Sequence, residues 1–401
     1  MSDSEVNAVN EALDALLAEH DPTRESYQEF RGHQFDAGLA WVQFPAGHGG
    51  LGVKPQLQRN VNRRLAEAGA PAMDASQFFM ALSGPTILAH GTEEQKRRFL
   101  RPMFTGEEKW CQLFSEPGAG SDFAGLATKA ELDGDEWLVN GQKVWNTIAH
   151  IADRGMLVTR TDPQLPKHKG MTYFALDMHA EGVEVRPLRQ ITGEAEFNEV
   201  YMTDVKVPDS DRIGERGEGW RVSITTLMNE RTVIGGSGGG GTPPRGSGAI
   251  AELVKVWDSL PDYEHTAARR DNLMKLWNRA EVLRLTNMRA TQNAKRGQPG
   301  PEGSVAKLAG AELNKEIYSE GINLAGMASQ IDLDYAFRRP TAVVMPGESG
   351  SLGYLFLRAR ANSIEGGTSE ILRNIMGEQM LGLPGEPRVD KKIPWADVPK
   401  N

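Results

Sequence analysis

A short segment at residues 112–122 contains the residue types best suited to holding a ligand. It reads Gln112-Leu-Phe-Ser-Glu-Pro-Gly-Ala-Gly-Ser-Asp122. Small residues at 118–121 allow backbone amides to approach a bound molecule closely, and Ser115 and Ser121 offer hydroxyls for hydrogen bonds. Such a loop suits the polar ring atoms, carbonyl oxygens or phosphates of a bound ligand. The same string is also typical of an ordinary Pro-Gly turn.

Several other ligand and metal sites are excluded by the sequence. The glycine-rich residues 235–241 are not followed by Gly-Lys-Ser/Thr, so a flexible connector is a better interpretation there than a phosphate-binding P-loop. No Gly-x-Gly-x-x-Gly follows a strand and opens a helix, which disfavours a Rossmann site. A single cysteine, Cys111, excludes an intrachain disulfide and a multi-thiolate metal centre. We therefore expect no metal ion in the site.

The elements that must position the 112–122 loop follow a simple order along the chain. Helical periodicity predicts an N-terminal helical domain over 1–108. Short β-branched and aromatic runs predict a β-barrel or sandwich over 109–218, and helical periodicity returns over 219–385 before a charged tail at 386–401. This order indicates an α+β multidomain protein rather than a doubly wound sheet.

Local signals add detail to these three zones. Val6, Val9, Leu13 and Leu16 recur at helical spacing, and Thr92 with Gln95 predicts a capping box at the start of a helix. Asn140-Gly141 predicts a hairpin turn. A last helix is predicted through residues 371–381 and is stopped by Gly382. The tail from residue 386 is charged and contains proline, so we expect it to be loosely ordered.

Composition narrows the class of protein. The 401 residues carry 45 basic and 54 acidic side chains, a formal charge of −9, which argues against a nucleic-acid partner. No run of about 18 apolar residues occurs, so no membrane span is expected. The first residues resemble neither a secretory signal nor a transit peptide, and we expect a bacterial cytoplasmic location.

Five segments, in the right order, resemble the motifs of the acyl-CoA dehydrogenase family. The resemblance spans most of the chain, and the family's architecture of a helical domain, a β-domain and a C-terminal four-helix bundle agrees with the zones described above. The matching segments are Gln112-Leu-Phe-Ser-Glu-Pro-Gly-Ala-Gly-Ser-Asp122, His90-Gly-Thr-Glu-Glu-Gln-Lys96, Gly141-Gln-Lys-Val-Trp-Asn-Thr147, Phe197-Asn-Glu-Val200 and Gly366-Gly-Thr-Ser-Glu-Ile-Leu-Arg-Asn374.

The resemblance implies that FAD is the cofactor and suggests which residues contact it. Trp145 would lie against the flavin ring, although a tryptophan at the end of a strand is also a normal core residue. Thr368 would reach the cofactor from the C-terminal bundle, although threonine is also a common helix cap. The implied contacts to the cofactor are Leu113, Phe114, Ser115, Gly120, Ser121, Trp145, Thr147, Thr368 and Glu370.

The reaction implied by the resemblance is the α,β-dehydrogenation of an acyl-CoA thioester to the trans-2-enoyl-CoA. It needs a carboxylate base for the α proton and an electron acceptor for the β hydride. Many family members carry the base directly before Gly-Thr, where this chain has Gly366. Another branch carries it in the first helix of the bundle, where Glu230 precedes Arg231. Glu230 is the leading candidate and Glu365 the alternative, while Ser121 and Arg231 would contact the substrate.

One departure from the family concerns assembly. Homotetrameric members carry an Arg-x-Gln-Phe-Gly segment that contacts the neighbouring subunit's cofactor, and this chain has none. The chain resembles a divergent bacterial branch that includes lipid- and sterol-degrading enzymes, some built from two unlike chains. We expect a homo-oligomer (dimer or tetramer) or a heterotetramer with a homologous chain, with an electron-transfer flavoprotein as electron acceptor. The alternatives are a non-catalytic or half-site subunit, or a flavin oxidase or hydroxylase on the same fold.

Overall fold

The structure, a computed structural model, describes residues 2–234, 243–295, 302–331, 336–343 and 350–399. The glycine-rich segment at 235–241 lies outside the described residues, so its interpretation as a connector stays a prediction. The backbone of Arg231 is described, but its side chain lies outside the described part of the chain.

The N-terminal part of the chain is a group of helices. It shows both the predicted apolar helix face and the predicted capping box. The periodic apolar residues form one face of α1, where Val9, Leu13 and Leu16 are buried. The predicted capping box is confirmed, because Thr92 Oγ1 accepts from the Gln95 amide (3.2 Å) and Gln95 Oε1 accepts from the Thr92 amide (2.9 Å). The helices are α1 (Asp3–Glu19), α2 (Tyr27–Asp36), α3 (Gln58–Glu67), α4 (Met80–His90) and α5 (Glu93–Thr105).

The middle of the chain forms one eight-stranded sheet in two lobes. The strand order is β6-β7-β3-β2-β4-β5-β8, and β1 pairs with β4. A single residue pair, Lys129 with Arg160, joins β2 to β4 between the lobes. The strands are β1 (Trp110–Leu113), β2 (Lys129–Asp133), β3 (Glu136–Lys143), β4 (Arg154–Arg160), β5 (Met171–Asp177), β6 (Val183–Pro187), β7 (Asn198–Pro208) and β8 (Arg212–Ile213).

The β4–β5 lobe separates two hydrophobic cores. Leu157 of β4 points into a core shared with β3 and β7, whereas Met156 and Val158 point into a core shared with α4 and α5. The alternation follows from the two-residue period of a strand. Because β4 is buried on both faces, the end of the neighbouring β1, where the 112–122 loop begins, is held on a rigid support.

The predicted hairpin at Asn140-Gly141 is wrong. Both residues lie inside β3, where Asn140 pairs with β2 and Gly141 pairs with β7 across a register shift. Asn140 Nδ2 donates to Asp204 Oδ1 (3.0 Å) and Asn140 Oδ1 accepts from the Asp204 amide (2.9 Å), which holds a β-bulge in place. The hairpin turn lies earlier, at Gly134 and the residue after it.

Helices return at Gly219, and the predicted α+β architecture is confirmed. A side chain at Gly219 would place its Cβ 2.7 Å from backbone atoms of Met171 and Thr172, so only glycine allows α6 to start against β5. Apolar residues of α7, α8 and α9 share one core, and α10 and α11 pack on α9. The helices are α6 (Gly219–Ile234), α7 (Ala249–Asp258), α8 (Ala267–Lys295), α9 (Glu302–Ala325), α10 (Leu352–Arg358) and α11 (Ser369–Ile375).

The last helix ends as predicted. After α11 the chain continues in a π-helical turn (Met376–Met380), and Gly382 adopts a left-handed conformation with φ 66°. Within the residues that the structure describes, no helix is both long and apolar enough to cross a bilayer.

The C-terminal tail is docked, so the expectation of a loosely ordered tail is wrong. Trp395 lies over the guanidinium of Arg160 at 5.0 Å, and its indole Nε1 donates to the carbonyl of Gly125 (3.2 Å). Asp390 pairs with Lys167, which also pairs with Asp122 of the 112–122 loop (2.8 Å). These contacts attach the tail to the β-domain beside the loop.

Replacing Trp395 with alanine is expected to release the tail. The change removes one hydrogen bond, worth about 1 kcal/mol, and one cation–π contact, worth about 0.5–1 kcal/mol. A loss of this size raises the population of the undocked tail by roughly tenfold. Limited trypsin digestion measures this population when docking is fast relative to cleavage.

Trypsin can cut the tail after Arg388, Lys391 and Lys392. We expect Trp395→Ala to be cut there about tenfold faster than the wild-type protein. Val389→Ala is a matched control because Val389 is 82% exposed in the same segment. Equal cleavage rates in all three proteins would show that Trp395 does not hold the tail.

Candidate functional site

The loop after β1 has its glycines and serine on an open side. Glu116 and Ala119 exchange backbone hydrogen bonds of 3.1 and 3.0 Å, which closes a tight turn. A Cβ added at Gly118 or Gly120 would have no neighbouring atom within 4 Å, and Ser121 is exposed. The loop is therefore a turn, as one reading of the sequence has it, and its small residues leave the backbone accessible to a ligand.

A buried ion pair lies under this loop. Lys143 is fully buried, and its Nζ donates to Glu116 Oε1 (2.8 Å) and to the carbonyl of Phe114 (3.0 Å). The Glu116 carboxylate also accepts from the backbone amides of Ala127 (2.7 Å) and Thr128 (2.9 Å). Four hydrogen bonds thus fix the inner side of the loop to β3 and to the segment before β2.

These contacts decide the charge of Glu116. Burial alone raises the pKa of a carboxyl group, but the positive charge and hydrogen bond of Lys143, with the two amide donors, lower the pKa of Glu116 below its ordinary value. Glu116 is therefore a carboxylate at neutral pH, and the loop rests on a buried ion pair.

The segment after β3 turns a tryptophan outward. Trp145 has a left-handed φ of 62° and is 57% exposed, and Ile148 also has a left-handed φ, of 50°. Left-handed backbone at non-glycine residues costs of order 1–3 kcal/mol and is concentrated at functional sites. Trp145 is therefore not a core residue. Its indole touches Phe197 edge-on at 5.8 Å between ring centroids and otherwise presents a flat apolar surface.

The residue after Trp145 has a buried acceptor with no donor. Asn146 Nδ2 donates to the carbonyl of Gln112 (2.9 Å), but Asn146 Oδ1 is buried and accepts no hydrogen bond from any residue that the structure describes. A buried unpaired acceptor is costly unless a ligand or water satisfies it. With the open loop and the outward indole, this atom fits the binding of a planar polar ring such as flavin.

Helix α6 brings Glu230 to the same end of the sheet. Gln112 of β1 lies with its Nε2 3.4 Å from Glu230 Oε2. Gln112 also accepts from Asn146 through its carbonyl. Glu230 is thus one residue away, through Gln112, from both the 112–122 loop and the Trp145 segment.

The face of α6 that precedes Glu230 is packed. Ser223 and Thr226, two turns and one turn before Glu230, are both fully buried. Thr226 Oγ1 lies 3.0 Å from Thr86 Oγ1 of α4 and 3.3 Å from the hydroxyl of Tyr173 on β5. Ser223 Oγ donates to the Gly219 carbonyl (2.6 Å). These residues anchor α6 to α4 and β5 and so fix the position of Glu230.

The second candidate base is already engaged. Glu365 accepts two hydrogen bonds from the Arg358 guanidinium, at 3.0 and 3.1 Å, and one from Asn362 Nδ2 at 3.0 Å. These three hydrogen bonds hold the Glu365 carboxylate against Arg358 and Asn362, so it is not free to reach a substrate. Glu365 therefore closes the turn before the C-terminal motif.

Lys307 connects the C-terminal motif with α6. Its Nζ donates to the carbonyls of Asn362 (2.8 Å) and Gly367 (2.6 Å). Burial lowers the pKa of Lys307 below its ordinary value, against the opposing charges of Glu365 and, more weakly, Glu230. Lys307 therefore supports the backbone on both sides of the turn before the C-terminal motif and is within electrostatic range of Glu230.

Other expected cofactor contacts fall in different places. Thr368 caps α11, with its hydroxyl accepting from the Ile371 amide (3.2 Å), as the alternative reading of this residue predicts. Glu370 is largely exposed and pairs with Arg373. Leu113 and Phe114 have buried side chains, so only their backbone can meet a polar ligand, while Ser115 and Thr147 are partly buried at the loop and after Trp145.

Sequence reasoning missed the residues that support the site. Glu116 and Lys143 belong to two separate motifs. Their opposite charges could have indicated an ion pair between the two motifs. The inward orientation of Lys143 depends on the β3 bulge, which has no clear mark in the sequence. Gln112, Asn146 and Lys307 act through contacts distant in the chain, which one sequence does not reveal.

Comparison with protein families covers nearly the whole chain. Residues 3–107 match the N-terminal domain of acyl-CoA dehydrogenases, residues 111–205 the middle domain and residues 217–381 the C-terminal domain. The acyl-CoA dehydrogenase IpdE1 of Mycobacterium tuberculosis is 35% identical over 359 residues, which cover 87% of this chain and 86% of that protein. The acyl-CoA dehydrogenase FadE34 of the same organism is 41% identical over 350 residues, but they make up only 45% of its length.

Solved structures agree with the sequence comparisons. The Tcur3481-Tcur3483 steroid ACAD superimposes with a TM-score of 0.70 at 25% identity, covering 96% of this chain and 99% of that chain. The ChsE4-ChsE5 complex from Mycobacterium tuberculosis gives a TM-score of 0.67 at 27% identity, with 96% and 99% covered. Three domain matches in order, relatives over 30% identical along most of both chains and a shared fold lead to one conclusion: the chain belongs to the acyl-CoA dehydrogenase family.

Proposed function

We propose that this chain catalyses the FAD-dependent α,β-dehydrogenation of an acyl-CoA thioester to the trans-2-enoyl-CoA, with Glu230 as the base. The observation that carries the proposal is the position of the Glu230 carboxylate, 3.4 Å from Gln112 at the start of the 112–122 loop. A base must lie beside the cofactor that accepts the electrons, and Glu230 is the carboxylate that α6 brings to that loop.

FAD is the cofactor of this family, and the loop and the Trp145 segment fit it. Backbone amides near Gly118 and Gly120 and the hydroxyl of Ser121 would hold its polar groups. The exposed indole of Trp145 would cover the ring, and Asn146 Oδ1 would gain a hydrogen-bond donor. When bound, the flavin accepts the hydride that leaves the β carbon.

Glu230 would take the α proton as that hydride leaves. Ser121, exposed at the loop, and Arg231 would contact the substrate. Glu365 is the weaker candidate because it is held by Arg358 and Asn362. Its carboxylate would have to give up three hydrogen bonds before it could accept a proton.

For the acyl group we propose a bulky polycyclic, steroid-like chain. The support comes from the kinds of protein that this chain resembles, which include a structure named a steroid ACAD. A straight fatty acyl group is the alternative, and the substrate panel described below separates the two.

We propose an electron-transfer flavoprotein as the electron acceptor and a homologous chain as a partner. The ChsE4-ChsE5 complex is a two-chain relative, and this sequence lacks the Arg-x-Gln-Phe-Gly segment typical of homotetramers. A homodimer or homotetramer is the simpler alternative. The lone, buried cysteine, Cys111, suits a reducing compartment such as the cytoplasm.

The second candidate function is a half-site subunit that needs another chain for turnover. The exposure of Glu370 favours this function. If Glu370 contacts a cofactor, that cofactor must lie against a surface other than this chain's own β-domain. A flavin oxidase or hydroxylase remains the third candidate, because one fold supports several flavin reactions.

The test is the visible absorption spectrum of the full chain, purified alone and titrated anaerobically with acyl-CoAs. The panel contains a steroid side-chain CoA ester and straight-chain esters of matched thioester chemistry. We expect flavin bands that bleach with the steroid ester much faster than with the straight-chain esters. The enoyl product is identified by mass spectrometry as the loss of two hydrogens.

Each other outcome selects an alternative. Flavin that never bleaches, or a colourless protein that gains activity only with a homologous chain, supports the half-site subunit. Peroxide released in air at the rate of substrate consumption supports the oxidase. Faster bleaching with straight-chain esters would overturn the proposed substrate class but leave the dehydrogenase intact.

A further inference from the structure

Two histidines and a glutamate converge between the first two helices. His20 caps the C-terminal end of α1, Glu25 lies in the connecting turn and His33 is in the last turn of α2. All three belong to the N-terminal helical domain. None belongs to the 112–122 loop, the Trp145 segment or α6, so the cluster is separate from the proposed flavin site.

The ligand atoms of the three residues face one another. His20 Nδ1 lies 2.9 Å from Glu25 Oε1, and His33 Nε2 lies 3.8 Å from Glu25 Oε2. One nitrogen of each ring and a carboxylate oxygen all lie within 4.8 Å of one another. A tetrahedral zinc ion, about 2.0–2.1 Å from each ligand, holds its ligand atoms roughly 3.3 Å apart. The ligands therefore need to close by no more than about 1.5 Å.

One carboxylate oxygen in the cluster has no hydrogen-bond donor. Glu25 Oε2 is buried and makes no hydrogen bond within the described part of the chain, although Oε1 lies 2.9 Å from His20 Nδ1. A buried carboxylate oxygen without a partner is costly unless a proton donor or a cation reaches it. The atom is oriented toward His33 Nε2 at a distance too long for a hydrogen bond, which leaves a gap between the two groups.

The stacking of the rings bears on how they can bind an ion. The imidazoles of His20 and His33 are nearly parallel, at 13°, with centroids 3.5 Å apart. An ion bound by both rings has to lie in the plane of each ring, so one ring rotates out of the stack when the ion binds. Neutral imidazole nitrogen is a metal ligand, and two histidines with one glutamate form an established ligand set for zinc.

We propose that His20, Glu25 and His33 bind a divalent transition-metal ion, with Zn²⁺ as the best match. His20 binds through Nδ1, His33 through Nε2 and Glu25 through the unpaired Oε2. The three side chains are partly exposed, so water completes the fourth position. The ion ties the end of α1 to α2 across the connecting turn.

The sequence gives little sign of this cluster. His20, Glu25 and His33 are separated by four and seven residues, which matches no common ligand spacing. The site exists because the turn after α1 folds back so that the last turn of α2 lies beside His20. The three-dimensional arrangement, rather than the spacing, carries the assignment.

The test measures zinc binding to the tag-free, full-length chain. The protein is freed of metal with a chelator and titrated with Zn²⁺ in competition with a chromophoric chelator of micromolar affinity. We expect one equivalent to bind the wild-type protein. Glu25→Gln and His33→Gln should each weaken binding by at least tenfold, since even outer-shell changes at metal sites cost 10–100-fold.

The control variant is His179→Gln. His179 pairs with Asp153 at 3.2 Å on the surface, and no third metal-ligating side chain joins this pair among the described residues. It should leave zinc affinity unchanged. Two variants are made at the site so that the result does not depend on one of them folding. Circular dichroism of the metal-free proteins tests directly whether each variant is folded. Failure of wild-type protein to bind Zn²⁺, or equal binding by all four proteins, would overturn the assignment.

Discussion

Replacing Glu230 with glutamine is expected to slow the anaerobic bleaching of the flavin by acyl-CoA by about 10²–10⁴-fold. A positioned general base contributes a factor of this size, and glutamine cannot accept the α proton. The change conserves the size of the side chain, so the contact with Gln112 can persist. Stopped-flow absorbance at the flavin bands measures the rate under single-turnover conditions, where product release does not interfere.

Glu365→Gln is the matched control for that experiment. It removes the other candidate carboxylate and weakens the pair with Arg358, yet we expect bleaching within about tenfold of the wild-type rate. Substrate affinity should change little in Glu230→Gln, because the base acts mainly in the transition state. A loss in Glu365→Gln as large as that in Glu230→Gln would reassign the base.

The architecture could be predicted from the sequence because the apolar residues of each zone follow one dominant pattern. Buried residues recur every three or four positions in α1, and β4 has a continuous apolar run, Met156-Leu157-Val158, because both of its faces are buried. The hairpin error has a physical cause. Asn140-Gly141 has the composition of a tight turn, but side-chain and backbone bonds to Asp204 hold it in a bulge. Gly134, at the true turn, carries a similar signal.

The candidate site could be predicted only in part. The loop was visible because ligand-binding loops need small residues, and Trp145 was visible only through the resemblance of its segment to a family motif. The buried support, Lys143 under Glu116 and Lys307 under Gly367, was not visible because it depends on which strand face or helix face points inward. Docking of the tail was missed for the same reason, since a charged segment is usually solvated.

The second large effect is expected from Lys143→Met. Removing one partner of a buried ion pair leaves the other charge unpaired and typically costs 3–5 kcal/mol. Here Glu116 would lose its cation and the carbonyl of Phe114 its donor, directly under the 112–122 loop. We therefore expect a lower free energy of unfolding together with weaker flavin retention. Urea unfolding followed by circular dichroism, and flavin fluorescence after gel filtration, measure the two effects.

Lys206→Met is the matched control in the same domain. Lys206 pairs with Glu136 at 3.4 Å, but both side chains are largely exposed, and exposed pairs contribute about 0–1 kcal/mol. We expect unchanged flavin retention in this variant. If both lysine variants lose the same stability, the pair under the loop has no special role.

The pH dependence of the free energy of unfolding is an independent test of the role of Lys143. Because the pKa of Glu116 is lowered in the folded protein, its contribution to stability is fully present above the ordinary glutamate pKa of about 4.3. The contribution is lost as the pH falls through the lowered pKa. In Lys143→Met the burial of Glu116 is no longer offset by a cation and raises its pKa instead. The stability difference between the wild-type protein and Lys143→Met should therefore shrink as the pH falls from neutrality and be smallest below about pH 4. A difference that grows as the pH falls would mean that Glu116 is protonated, and not ionised, under the loop at neutral pH.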